Sequence, residues 1–174
     1  MKTASSPSFT ATSCRVATEP AELSEHYALR RRVFVVEQGI FERDDRDGRD
    51  DDERTLHVVG IVDGHVGGAV RLYPLDARGE LWKGDRLAVL REHRACHLGA
   101  QLVRFAVATG GERGGRRMIA HIQLRNVRFF EQLGWRADGP PAPFHGVEHR
   151  LMAIGLSRPY PAHPADPAAS GPAR

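Results

Sequence analysis

The chain lacks a long hydrophobic run. Its most compact apolar cluster, Val33-Phe34-Val35-Val36, is four residues long, far short of the roughly 18–20 that a membrane span needs. Met1 to Ser13 has one lysine, no apolar stretch and many Ser and Thr, so a loose tail is expected there rather than a secretory leader. Cysteine is scarce. Cys14 and Cys96 make no disulfide framework, which points to a reducing, cytoplasmic setting. Several catalytic signatures are also missing. No G-x-S-x-G elbow exists. Gly110 to Arg116 has P-loop-like glycines, but no Lys-Ser/Thr pair follows, and the run lies between a predicted helix and a strand, the reverse of the required order. Asp45, Asp47 and Gly48 imitate a calcium loop, yet its first and twelfth positions would be Arg43 and Arg54, where carboxylates are needed. His93/His97 and His145/His149 have the i,i+4 spacing of zinc pairs but no third ligand and little predicted helix, so no metal is expected. The basic residues are not interleaved with aromatics, which argues against nucleic acid as a partner. No internal repeat is visible.

What remains is the composition of one domain with a core of ordinary size: 41% hydrophobic, 27% charged, mean hydropathy −0.42. Net charge is +3, but Glu42 to Arg54 holds eight acidic and four basic residues, so the rest of the chain is strongly basic and suits a polyanion such as a phosphorylated cofactor. The acidic run reads as a solvated loop that could also attract a cationic amine. From Arg158 the sequence turns to Pro, Ala, Ser and Gly, so three segments are expected: a flexible tail over 1–13, a folded domain over 14–157 and a disordered Pro/Ala-rich tail over 158–174. Within the domain, Cys14 to Ala17 suits a short strand. Thr18 suits the N-cap of a helix from Pro20 to Glu37, closed by Gly39. Strands are expected over 57–62 and 66–75, joined by an Asp63-Gly64 turn, and over 81–90. A helix over 98–108, a buried strand over 118–122, a short helix over 127–133 capped by Asn126 and closed by Gly134, and a last strand over 147–156 complete a β-α-β-β-β-α-β-α-β order, an α/β fold.

The most informative stretch runs from Leu87 to Leu102. A strand leads through a loop carrying Arg91 and Arg94 into a helix that opens on Leu98-Gly99-Ala100. Free N–H groups at a helix N-terminus attract anions, and small residues let a phosphate approach. The same residues would equally make an ordinary connection with surface arginines. Arg94 through Gly99 resembles the R/Q-x-x-G-x-G/A loop that binds the coenzyme A pyrophosphate in the GCN5-related N-acetyltransferase (GNAT) superfamily, with His97 standing at the first glycine. Asn126 to Trp135 (NVRFFEQLGW) is similar to that family's N-x-x-x-x-F/Y-Y-E-x-L-G-F signature. Arg31 to Phe41 and Gly146 to Met152 look like a bacterial branch of small acyltransferases, some relatives of which make acyl-homoserine lactones.

The resemblance implies a central, mixed, mostly antiparallel twisted sheet flanked by helices. It implies an N-acetyltransferase that moves an acetyl group from acetyl-CoA to a small-molecule amine by direct attack, in a chain compatible with a homodimer. Cofactor contacts would come from Leu87, Ala88, Val89, Arg94, Cys96, His97, Leu98, Gly99, Ala100, Gln101, Asn126, Phe129 and Phe130, with the Val89 N–H bonding the thioester carbonyl. The attacking amine must lose a proton. Glu37, in an apolar stretch where burial would raise its pKa, and His149, in a predicted strand, are the candidates. Glu37 could instead pair with an arginine, His149 could be a half-buried strand histidine, and a water chain could replace both. Many relatives protonate the leaving thiolate with a tyrosine. Phe130 stands there, so the thiolate would leave unassisted, or the domain would be a non-catalytic acyl-CoA-binding module. An acyl-homoserine-lactone-synthase-like transfer is a further alternative.

Overall fold

The structure, a computed structural model, describes residues 10–157. Residues 1–9 and the Pro/Ala-rich segment from residue 158 lie outside the described residues. The chain runs β1 (Thr12–Val16), α1 (Pro20–Arg31) continuing as a π-helical turn (Arg32–Glu37), β2 (Leu56–Val62), β3 (His65–Pro74), β4 (Leu81–Val89), α2 (Leu98–Glu112), β5 (Arg117–Gln123), α3 (Val127–Gln132), β6 (Arg136–Phe144) and β7 (Val147–Gly155). The seven strands form one sheet in the order β1-β2-β3-β4-β5-β7-β6, parallel only between β4 and β5. No helix among the described residues is long and apolar enough to cross a membrane.

Local chemistry explains most elements. The Asp63-Gly64 turn has positive φ at both residues, as a tight hairpin with the native twist requires. Gly134 (φ +89) ends α3, its N–H and that of Trp135 bonding the Glu131 and Phe130 carbonyls. Leu98, Leu102 and Ala106 share the buried face of α2. The main core lies between this face, α3 and the sheet, and a smaller cluster (Leu29, Val33, Phe34, Ala69, Ala88) lies beneath α1 on the other face.

Several expectations need correcting. The first strand begins at Thr12 rather than Cys14. Thr18 is not the cap of α1: Glu19 precedes the helix, and the Thr18 N–H donates to the Glu22 carboxylate at 3.3 Å. The first helix is α-helical only to Arg31 and then widens into the π turn. Asn126 makes no cap bond. α2 continues through Gly110 and Gly111 because small residues are needed there: a Cβ on Gly111 would sit 2.5 Å from the Ser157 carbonyl oxygen, and one on Gly110 would sit 3.0 Å from Met118 Cε. A seventh strand, β6, carries Pro140, Pro141 and Pro143. It is the sheet's edge, where one row of N–H groups has no partner to lose, and its register with β7 breaks between Ala137 and Pro141.

Candidate active site

β4 and β5 part company early. They pair only where Leu81–Lys83 meets Arg117–Ile119. Beyond that point β5 stays with β7 as far as Gln123, while β4 follows β3 through an irregularity at which Arg86 takes φ +53. The two strands therefore diverge into a fork. The Leu90 N–H donates to the Gly67 carbonyl at 3.0 Å. Neighbouring amides of a strand point to opposite edges, so the Val89 N–H faces the open fork.

A groove lies across the mouth of the fork, lined by Leu87–Val89, Arg91, Arg94, His97, Gly99 and Ala100 on one side and by Arg125, Asn126, Phe129 and Phe130 on the other. α2 opens without a side-chain cap, leaving its first N–H groups available. The helix end reaches this place because Gly60 and Gly68 face each other across β2 and β3. A Cβ on Gly68 would lie 2.7 Å from Leu102 Cδ1, and one on Gly60 would lie 2.9 Å from Leu98 Cδ1. His97 adopts a left-handed conformation (φ +61). Glycine takes this conformation without strain, and histidine is among the other residues that tolerate it best. Three of the expected cofactor residues point elsewhere. Leu98 is fully buried in the core, Cys96 Sγ donates to the His93 carbonyl at 2.9 Å, and Gln101 Nε2 donates to Thr12 Oγ1 at 2.8 Å. These three can face a ligand only through their backbone.

The two candidate bases are not together. Glu37 lines the groove and is not buried. Of the apolar stretch before it only Val33 and Phe34 are buried, and Val36 is exposed. Its carboxylate lies 2.7 Å from Arg94 Nη2, and Arg94 Nε also donates to the Val89 carbonyl at 3.1 Å. His149 sits deeper, 8% exposed, in a cavity that continues through the fork. Its Nδ1 is 2.7 Å from the Val147 carbonyl. A carbonyl only accepts, so Nδ1 carries a proton, and in the neutral ring the lone pair is on Nε2. Groove and cavity share Ile40, Leu87, Gln123, Asn126 and Phe130.

The acetyltransferase (GNAT) family profile matches residues 21–135. The chain belongs to this family. YyaT of Bacillus subtilis (strain 168), an uncharacterized protein, is 28% identical over 145 residues, 83% of this chain and 95% of YyaT. Among solved structures, Escherichia coli ElaA superposes with a TM-score of 0.72 at 22% identity, covering 83% of this chain and 99% of ElaA. The CoA-dependent acyl-homoserine lactone synthase BjaI, solved with SAM and isopentyl-CoA, gives 0.66 at 20% identity, covering 80% and 78%. The two structural likenesses speak for the fold.

In this GNAT chain the acidic run is solvated only in part: Glu42, Asp44, Asp51 and Glu53 are exposed, as a solvated loop requires, but two of its carboxylates are not. Asp45 and Asp50 are buried and pair with the wholly buried Arg30 at 2.7 and 2.6 Å. The equally buried Arg71 binds Asp47, Asp50 and Asp85 at 2.7–2.9 Å, and Arg86 binds Asp45 and Asp47 at 3.1 and 3.2 Å. Burial alone would lift the Asp50 pKa, but its bonds to Arg30 and to the Asp47 amide hold it well below the usual carboxylate range. The network pins the loop against α1, β3 and β4. It also ties up Asp45, Asp47 and Asp50, the three carboxylates of the run that face the sheet, and leaves them unavailable to a cationic amine. Sequence reasoning assigned no site role to much of the cavity wall, including Phe41, Lys83, His121, Trp135, Phe144 and His145. The signal for two of them was a lysine and a histidine inside runs that otherwise read as strands.

Proposed function

We propose that this chain is an N-acetyltransferase that takes the acetyl group of acetyl-CoA and passes it directly to the amine of a small molecule. The observation that carries the reading is the fork between β4 and β5, which turns the Val89 amide away from β3 at the groove wall, two residues along from Leu87, where groove and cavity meet. Residues on both sides of the junction fit an acyl-CoA. The α2 N-terminus and Arg94 would take the diphosphate, with Gly99 and Ala100 keeping the approach open. Asn126, Phe129 and Phe130 would flank the pantetheine arm.

The Val89 N–H stabilises the oxyanion as the amine nitrogen bonds to the thioester carbon. His149 Nε2 takes the proton that the amine loses, and the C–S bond then breaks. Phe130 has no proton to give. A thiol of this kind has a pKa near 8.5, so the departing thiolate can take its proton from water. Glu37, spent on Arg94, acts in this scheme as a positioning residue that holds the guanidinium at the groove.

A second reading differs in the acyl group. The cavity beyond the fork is apolar on the α2 side, where Val103, Ala106, Met118 and Trp135 line it. With the fold likeness to BjaI, this favours a longer acyl chain as an alternative donor. Thiol release, measured with a panel of small amines against acetyl-CoA and longer acyl-CoAs, tests both readings. Gly99→Glu, which puts bulk and negative charge where the diphosphate would dock, should abolish acyl-CoA binding. Unchanged affinity would refute the placement, and tight binding with no turnover on any amine would make the domain a binding module.

A further inference from the structure

The cavity wall contains one cation that the rest of the wall does not use. The wall's arginine, Arg86, is bound to Asp45 and Asp47. Lys83, half-buried on β4, has no carboxylate within 4.0 Å among the described residues and makes no hydrogen bond there. Asp85, two residues further along the strand, is committed to Arg71 at 2.8 Å and accepts a bond from the Tyr73 hydroxyl at 3.2 Å. The Lys83 ammonium lies instead 5.6 Å from the centre of the Phe144 ring.

His121 stands beside it. Lys83 pairs with Ile119 in register, and His121 is two residues further on the same face of β5. Its ring stacks on Phe144 with centroids 4.8 Å apart, and neither of its nitrogens has a hydrogen-bond partner among the described residues. Phe144 also touches His149, centroid to centroid 5.4 Å. One phenyl ring thus separates the proposed proton acceptor from an unpaired ammonium and a free imidazole. Burial pulls Lys83 below its ordinary pKa value, and partial desolvation together with the charges of Lys83 and His149 does the same for the more exposed His121, with Asp85 opposing in each case. Leaving a half-buried ammonium unpaired is costly, and a bound anion would remove that cost.

From this arrangement we infer that the acceptor carries an anionic group, carboxylate or phosphate, on the same small molecule as its amine, and that Lys83 and His121 receive it while His149 faces the amine. The inference deepens the proposed acyl transfer and rests on it for the identity of the cavity. The neighbouring aromatic rings bound the space, so the amine and the anion sit only a few bonds apart.

Lys83 is one of two lysines in the chain, the other being Lys2. Protein labelled with carbon-13 at the lysine Cε positions therefore gives two signals, and Lys83→Met assigns them by removing one. The probes are product-like: N-acetylglycine and N-acetylglucosamine 6-phosphate, each beside its neutral counterpart, N-acetylglycinamide or N-acetylglucosamine. We expect at least one anion to move the Lys83 signal and raise its titration by about one pH unit or more, as a close opposite charge does, with no effect of its neutral counterpart. The responding arm distinguishes carboxylate from phosphate. A Lys83 signal indifferent to both anions overturns the inference. In turnover, Lys83→Met should cost about ten- to a hundredfold more in kcat/KM for the anionic amine of a matched pair than for its neutral analogue. An equal loss on both overturns it as well. A Lys83 response without thiol release on any amine would sink the acyl-transfer reading and leave the anion site standing.

Discussion

Acid should loosen this fold well before its carboxylates titrate, and His26 is the reason. The side chain is wholly buried where α1 packs on β3. Its Nε2 lies 3.4 Å from the Val70 carbonyl, its Nδ1 has no partner, and the His57 and Tyr27 rings stand edge-on to it. Burial first, then the charges of Arg30 and His57, lower its pKa to about 3. In the unfolded chain the value is about 6.5. Below pH 6.5 the unfolded chain therefore takes up a proton that the folded chain refuses, and stability falls until the folded value is reached. Above pH 6.5 this group has no effect. The loss from His26 alone is about 1.4 kcal/mol at pH 5.5 and about 2.7 kcal/mol at pH 4.5. Urea unfolding of the wild type and of His26→Leu at pH 7.5, 5.5 and 4.5 measures it. His57, also pulled below its ordinary value by burial, contributes to both proteins, so the difference between the two profiles isolates His26. Parallel profiles for the two proteins would refute the reasoning.

Two further outcomes bear on the site. His149→Ala should lower kcat by about 10²–10⁴, the usual range for a positioned base, and leave the KM for acetyl-CoA within about twofold. A variant with full turnover and an unaltered pH–rate profile would return the proton to water. Glu37→Gln releases Arg94, so it should change the KM for acetyl-CoA and leave kcat largely intact. A tenfold or larger fall in kcat at constant KM would instead place Glu37 in the proton transfer.

The fold was legible wherever a local rule governs. Asp63-Gly64 makes its hairpin and Gly134 its helix end because those conformations belong to those residue types. The apolar spacing of Leu98, Leu102 and Ala106 matches the buried face of α2. β6 escaped notice because prolines read as a break, and only its place at the sheet edge makes them harmless. Asp45, Asp47 and Asp50 read as solvated with the rest of the acidic run because their partners, Arg30, Arg71 and Arg86, are distant in sequence, and spacing cannot reveal a pairing made by topology. Likewise the fork depends on the turn at Arg86 and on the separate allegiance of β5 to β7. Local pattern announced neither, so the Val89 position rested on resemblance. For Glu37, burial was inferred from apolar neighbours, but a helix buries one side of such a run and leaves Val36 and Glu37 in water.

The meeting of two recesses at Ile40, Leu87, Gln123, Asn126 and Phe130 has a consequence for kinetics. On the proposed acyl transfer, a donor in the groove and an acceptor in the cavity would meet at this junction from two sides, so neither need depart before the other enters, and no side chain has to carry the acyl group between visits. Double-reciprocal plots at several fixed concentrations of one reactant should therefore intersect rather than run parallel.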